Sequence, residues 1–275
     1  FSPMLLRSGD RGRTWRSIAG DPDDSGLPAR HLVWRLVQDD EEPGLLFVGT
    51  EFGVFVSLTG GDRWLELQGG VPQIPFRDLA IQRRENDLVG ATFGRGFYIL
   101  DDYTPLRALA RAERESSGAA EALLEAEAHL FAVDDAWWYI PRRPLGGPKG
   151  TQGDGFYNAD NPPFGAVFTY ALGEALESRR ETRQALEKEL KLAGDDTPYP
   201  GWEALREETL EDAPAVVVTV RDAQGEVVRR VEGPTEAGIH RVAWDLSLPR
   251  TDAWTGPREG DDFFSRGRLA APGTY

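Results

Sequence analysis

Cleaving a glycosidic bond takes two carboxyl groups at a set separation, one to exchange a proton and one to attack or to activate water. Among the 46 acidic residues of this 275-residue chain, Glu51 is the best single candidate. It sits in a turn after the strand-like run Leu46-Phe47-Val48-Gly49-Thr50, and Arg95 lies in the equivalent turn of the similar run that begins at Asp87. Two readings stay open for this couple: an ion pair or turn cap between neighbouring repeats, or contacts to a ligand. Glu51, Phe52, Arg77 and Arg95 are the candidate ligand-facing residues, and no residue is assigned as catalytic. The acidic runs Asp39-Asp40-Glu41-Glu42, Asp101-Asp102 and Asp134-Asp135 read as solvated loop faces. Asp21-Pro22-Asp23-Asp24-Ser25-Gly26 opens like a calcium loop, but its twelfth position is Leu32 where a bidentate Glu is required, so a turn is expected. His31, His129 and His240 are about a hundred residues apart, which does not suggest a metal cluster. No metal and no cofactor is predicted. H-E-x-x-H, G-x-S-x-G and G-x-x-x-x-G-K-[ST] are all missing from the sequence, which removes the chemistries those motifs carry.

The formal charge of −15, from 31 basic and 46 acidic residues, opposes nucleic-acid binding, which rests on Lys and Arg displacing counterions from phosphates. The longest clear apolar run is Ala215-Val216-Val217-Val218, far short of the about 20 residues that a membrane-spanning helix needs. The chain has no cysteine, so disulfides and thiolate metal sites are excluded. Eight tryptophans are read mostly as core residues.

The residues that must position any site come in repeats. Ser8-Gly9-Asp10-Arg11-Gly12-Arg13-Thr14-Trp15 matches the Asp-box pattern S-x-D-x-G-x-[ST]-W. In such a hairpin the Asp accepts backbone N–H bonds, Gly takes a positive φ and Trp packs on the sheet. A relative recurs 49 residues later, where Ser57, Gly61 and Trp64 keep their places and Thr59 stands for the Asp. The run Leu46 to Gly53 is echoed by Asp87 to Gly94 at an offset of 41. Such periods are about one four-stranded blade of a β-propeller. One full blade is expected, with strands His31 to Gln38, Leu45 to Thr50, Val54 to Ser57 and Arg63 to Leu67. A partial blade follows, with strands Phe76 to Gln82, Asp87 to Ala91 and Gly96 to Leu100. Phe1 to Arg7 reads as the third strand of an earlier blade, so the chain is expected to be an internal piece of a longer protein. A strand from the missing N-terminal part is expected to close the three-stranded blade and supply the rest of the propeller.

Beyond Pro105 the pattern changes. Residues 106 to 128 look helical with a break at Ser116-Ser117-Gly118, and His129 to Val133 and Ala136 to Ile140 look like strands before a Gly- and Pro-rich loop over 144 to 163. Strands are expected over Gly165 to Tyr170, Ala215 to Asp222, Glu226 to Glu232 and Gly238 to Leu246, with a turn at Asp222-Ala223-Gln224-Gly225. Between the first two lies a helical insertion, about 173–212, in which Leu172, Leu176, Leu186 and Leu190 share a face. The expected fold is mainly β: the last blades of an Asp-box propeller (1–105), a linker (106–163) and a truncated immunoglobulin-like β-sandwich (164–275).

The Asp-box, Val48 to Gly53, Gly94-Arg95-Gly96-Phe97-Tyr98-Ile99-Leu100-Asp101-Asp102 and Asn161-Pro162-Pro163-Phe164-Gly165-Ala166 together resemble bacterial sortilin-like, BNR-repeat propeller proteins. Gly238 to Leu246 with Pro272-Gly273-Thr274-Tyr275 is similar to the immunoglobulin-like domain that follows the propeller in that group. The resemblance implies an exported protein, periplasmic or extracellular. It implies a scaffold that binds a protein, peptide or glycan or, as the alternative, a glycoside hydrolase whose catalytic residues lie mostly outside this piece. A sialidase-like site would need three arginines, and Arg35, Arg77 and Arg95 are those in plausible blade positions. Tyr98 has no Glu beside it in sequence to complete the nucleophile.

Overall fold

The computed structural model describes residues 2–139, 161–249 and 267–275. The chain is mainly β, in several antiparallel sheets, none of which closes on itself among the described residues. It divides into two units, Phe1–Leu123 and Leu124–Tyr275.

The first unit opens with a two-stranded sheet, β1 (Leu6–Arg7) and β2 (Arg16–Ser17). A four-stranded meander follows in the order β3 (Val33–Gln38), β4 (Leu46–Thr50), β5 (Gly53–Ser57) and β6 (Leu65–Glu66). A three-stranded meander of β7 (Phe76–Gln82), β8 (Asp87–Thr92) and β9 (Phe97–Leu100) completes the series. Strands β4 and β5 are buried along their whole length, because each sheet face meets a neighbour. Leu46, Val48, Phe55 and Trp64 pack with Leu5, Ile18 and Leu27 on one side. Phe47, Val54 and Val56 pack with Phe76, Leu79 and Leu88 on the other.

The two boxes fold alike although the second lacks its Asp. In the first, Gly12 N donates to Ser8 Oγ (2.6 Å) and Thr14 N to Asp10 Oδ1 (2.8 Å). In the second, Gly61 N donates to Ser57 Oγ (2.9 Å) and Arg63 N to the Thr59 hydroxyl (2.9 Å). A hydroxyl thus does the accepting work of the carboxylate at the same position. Gly12 and Gly61 both have positive φ, 86° and 99°, and a Cβ at Gly61 would stand 2.7 Å from Ile18 Cβ. The amide and hydroxyl of Thr14 hold the Asp10 carboxyl below its ordinary pKa. The tryptophans part company. Trp64 is 4 % exposed and gives its indole N–H to Ile18 O (2.8 Å), whereas Trp15 is 61 % exposed and bonds only back to Gly12 O within its own hairpin.

Helix α1 (Thr104–Glu115) carries a proline in its first turn and buries Leu109 and Ala110, and α2 (Ala119–Leu124) follows the expected break. A buried polar cluster fastens α1 to the turn after β3. Asp39 accepts from the amides of Glu41 and Glu42 (3.1 and 2.6 Å), from Tyr103 OH (2.8 Å) and from Arg107 Nε and Nη2 (3.0 and 2.7 Å). Burial alone would raise the Asp39 pKa, but the hydrogen bonds from Arg107, the Glu42 amide and Tyr103 outweigh it and hold it below the usual value. Next to it Glu42, itself buried, pairs with Arg114 at 3.0 Å.

In the second unit β10 (His129–Leu130), β11 (Ala166–Leu172) and β14 (Gly238–Trp244) form one sheet, and β12 (Val216–Arg221) pairs with β13 (Val227–Gly233) in another. Phe168, Val220, Trp244, Leu246 and Ala270 form their common core, with Val218, Val231 and Val242 packed against it. The hairpin turn holds as expected, with Asp222 Oδ1 accepting from the amides of Gln224 and Glu226. Helices α3 (Arg179–Ala193) and α4 (Trp202–Leu210) are joined by ions rather than by buried apolar residues: Arg183 reaches Glu208 (2.6 Å) and Arg179 pairs with Glu207, while Glu187 holds Arg183 from within α3 (2.7 Å).

Three expectations are corrected. Ala136 to Tyr139 form no strand, because both edges of β11 are taken by β10 and β14 and its pairing ends at the Phe131 amide. Leu172 belongs to buried β11, not to the helix, which starts only at Arg179 behind a capping box of Ser178 and Glu181. Tryptophan is mostly exposed: of the described indoles only Trp64 and Trp244 are buried, and Trp15, Trp34, Trp137, Trp138 and Trp202 are not. The Gly- and Pro-rich loop lies outside the described residues except for 161–163.

Candidate functional site

Two bulges build the site. On β3 the register with β4 passes from Val33↔Thr50 to Arg35↔Gly49, leaving Trp34 as the extra residue. On β7 it passes from Phe76↔Thr92 to Asp78↔Ala91, leaving Arg77. A bulge re-aims the side chain that it extrudes, and these two are aimed at each other. The Arg77 guanidinium lies 3.6 Å from the Trp34 ring centroid and 5.3 Å from that of Phe93. Trp34 Nε1 donates to Glu51 Oε2 at 2.8 Å. The residues just after the bulges, Arg35 and Asp78, form an ion pair at 3.2 Å. A continuous rim results, in the order Glu51, Trp34, Arg77, Phe93.

The hydrogen bonds show why these residues meet. Thr50 Oγ1 donates to Gly53 O and Thr92 Oγ1 to Gly96 O, each closing the turn that follows its strand. Glu51 N donates to Leu32 O and Phe93 N to Pro75 O, both at 3.0 Å. Thr50 therefore corresponds to Thr92 and Glu51 to Phe93. The structural offset is 42, one more than the sequence echo suggests, because just after the bulges Gly49 pairs with Arg35 and Ala91 with Asp78, so Gly49 corresponds to Ala91 and not to Gly90. Each repeat thus gives the rim a bulge residue and the first residue of a turn, and the two repeats meet where Arg77 stacks on Trp34.

Glu51 and Arg77 are joined through Trp34, which sequence reasoning read only as one of many core tryptophans. Of the readings left open for Glu51 and Arg95, the ion pair does not form: the Glu51 carboxylate is turned to the indole, and Arg95 is exposed in the neighbouring turn. Phe52 stands outside the stack, edge-on to His31 at 5.3 Å between ring centroids. The signal that could have found Trp34 is its place next to a strand residue, Val33, that breaks the alternation; nothing in one sequence marks that as a bulge. The electrostatics suit recognition. A cation lies over two aromatic rings, 3.6 Å from the centroid of Trp34 and 5.3 Å from that of Phe93, a contact worth about 0.5–2 kcal/mol depending on desolvation.

Asp21 closes a turn, as expected: its carbonyl accepts from Asp24 N and Gly26 N, and its carboxylate from Asp23 N. Among the described residues no group of three or more His, Cys, Asp or Glu side chains is placed to hold a metal ion, and no helix is long and apolar enough to cross a membrane. No protein-family model, curated protein or solved structure matches the chain.

Proposed function

We propose that this chain is the binding part of a repeat protein of the Asp-box propeller type, a scaffold that presents a rim of stacked side chains to a peptide, protein or glycan outside the cytoplasm. The single observation that carries the reading is the Glu51, Trp34, Arg77, Phe93 stack, to which equivalent positions of two successive repeats contribute. Support for the propeller comes from the two like-folded hairpins 49 residues apart and from the meander order of the four- and three-stranded sheets. Exposed aromatic rings beside a guanidinium suit a ligand with both a flat or apolar face and polar groups. The two-layer second unit fits an immunoglobulin-like spacer. A glycosidase would need a second carboxylate free to work with Glu51, and the rim's other acid, Asp78, is held by Arg35.

Glycan and peptide arrays probed with the 275-residue chain test the proposal. Saturable binding that falls at least tenfold in Trp34→Ala and Arg77→Ala, with no change in the ligand, is the expected result. Hydrolysis of any arrayed glycan that is abolished by Glu51→Gln would overturn it in favour of an enzyme.

A further inference from the structure

The outer edge of β9 pairs with no strand among the described residues. The ladder bond from Thr92 N to Gly96 O directs the bonds of Tyr98 and Leu100 toward β8, so by alternation those of Phe97 and Ile99 point outward. Beside this edge runs an apolar groove lined by Val54, Leu67, Phe76, Leu88, Gly90 and Tyr98. An edge so apolar, left open, is an invitation to another strand.

The neighbouring sheet shows what fits. There β6 covers the edge of β5, with Phe55↔Glu66 and Val56↔Leu65 in register, and the residue before it, Trp64, is buried in a cluster that includes Leu5, Ile18, Leu46, Val48 and Phe55. The repeat relations carry that cluster onto the groove. At 49 residues Leu5 becomes Val54 and Ile18 becomes Leu67, and the bonds Ile18 N to Leu5 O and Leu67 N to Val54 O, both 2.9 Å, are the same bond in two repeats. Leu46 and Val48 become Leu88 and Gly90 on the 42-residue offset, and Phe55 becomes Tyr98 in the hairpin register. All five line the groove. It has the walls of a tryptophan pocket without its tryptophan.

We propose that the edge of β9 and this groove take up the outer strand of a further Asp-box repeat, antiparallel to Phe97–Leu100, with its tryptophan in the groove and the indole N–H donating to Leu67 O as Trp64 donates to Ile18 O. The inference rests on the repeat reading above but not on the rim's being a ligand site.

The probe is a synthetic peptide with the sequence of residues 61–68, Gly-Asp-Arg-Trp-Leu-Glu-Leu-Gln, titrated into the full chain and followed by anisotropy of a terminal label. Saturable binding is expected, weakened at least tenfold when the peptide's Trp is replaced by Ala. Ile99→Pro, which removes an outward N–H at an edge, and Val71→Trp, which fills the groove, should each abolish it while far-UV dichroism is kept. Phe97→Ser, on the sheet's other face, should leave it unchanged, as should Arg77→Ala. Failure to saturate, or equal binding of the Ala peptide, overturns the proposal. So does a dimer, seen by sedimentation, that Ile99→Pro dissolves, since a second copy would then own the edge. Loss of array binding in Arg77→Ala with no peptide binding would sink this inference alone.

Discussion

Replacing Asp39 by Ala removes the acceptor of five donor groups at once. Tyr103 OH loses the acceptor of its proton, and Arg107, whose side chain is 9 % exposed, keeps Glu41 at 3.0 Å, Asn86 at 2.9 Å and the Tyr103 hydroxyl oxygen at 3.4 Å. Breaking a buried ion pair by removing one member costs about 3–5 kcal/mol, mostly the penalty of the charge left behind. The unfolding constant of the first unit should therefore rise by roughly two to three and a half powers of ten. Urea denaturation at pH 7, read by exchange protection of the fully buried β4 amides, reports this unit. Removing both charges, in Asp39→Leu with Arg107→Met, should recover a large part of the loss, because the desolvation cost goes with them. A loss below about 1 kcal/mol in Asp39→Ala, or a double variant no better than the single, would refute the claim that this pair fastens α1 to the sheet. The sign of the pH dependence follows from the lowered Asp39 pKa. Its contribution is present above the unfolded value of about 4 and is lost as pH falls through the lower folded value, so Asp39→Asn should flatten the acid limb of the stability curve.

The two box tryptophans make a paired test: Trp64→Ala should cost about 3–5 kcal/mol, and Trp15→Ala less than about 0.5 kcal/mol, in urea denaturation of the same unit. Thr59→Asp restores the box carboxylate and replaces a neutral acceptor for Arg63 N by a charged one, which should add about 0.5–1 kcal/mol; a loss of stability would show that the hydroxyl is not standing in for the acid. Arg183→Ala should lower helicity at pH 7 by detaching α4 from α3. Hydrogen bonds from Arg183 keep the Glu208 pKa below normal, so this difference should vanish as pH falls through that lowered value, and far-UV dichroism from pH 7 to 3 checks it.

The strands of the two meanders were legible because glycine-rich joints bracket alternating runs, and Phe76 to Gln82 is found with the bounds that the sequence predicts. The boxes were legible down to the positive φ of Gly12 and Gly61 and the accepting role of Asp10, because these are local features within eight residues. The burial of Trp64 and the exposure of Trp15 were not, since two like-folded hairpins place their tryptophans against different surroundings: Trp64 reaches Ile18 O, and Trp15 only Gly12 O of its own hairpin. Glu51 and Arg77 were found as types of residue, but their connection was hidden. It depends on two extra residues in two ladders, and a pairing register is a property of two strands rather than of one segment. Leu172 misled for a related reason, because a spacing of four suits a helix face and a strand end equally until the partner strand β14 decides.

Trp34 and Arg77 each stand where the opposite strand supplies no partner. A residue in that position is released from the ladder pairing that constrains its neighbours, since exchanging it leaves the register of the flanking pairs as it is. If the rim binds a ligand as proposed above, its specificity can accordingly be rewritten one residue per repeat, with the frame that holds it untouched, and a protein assembled from such units would carry that specificity as a short string of letters set apart from the text that folds it.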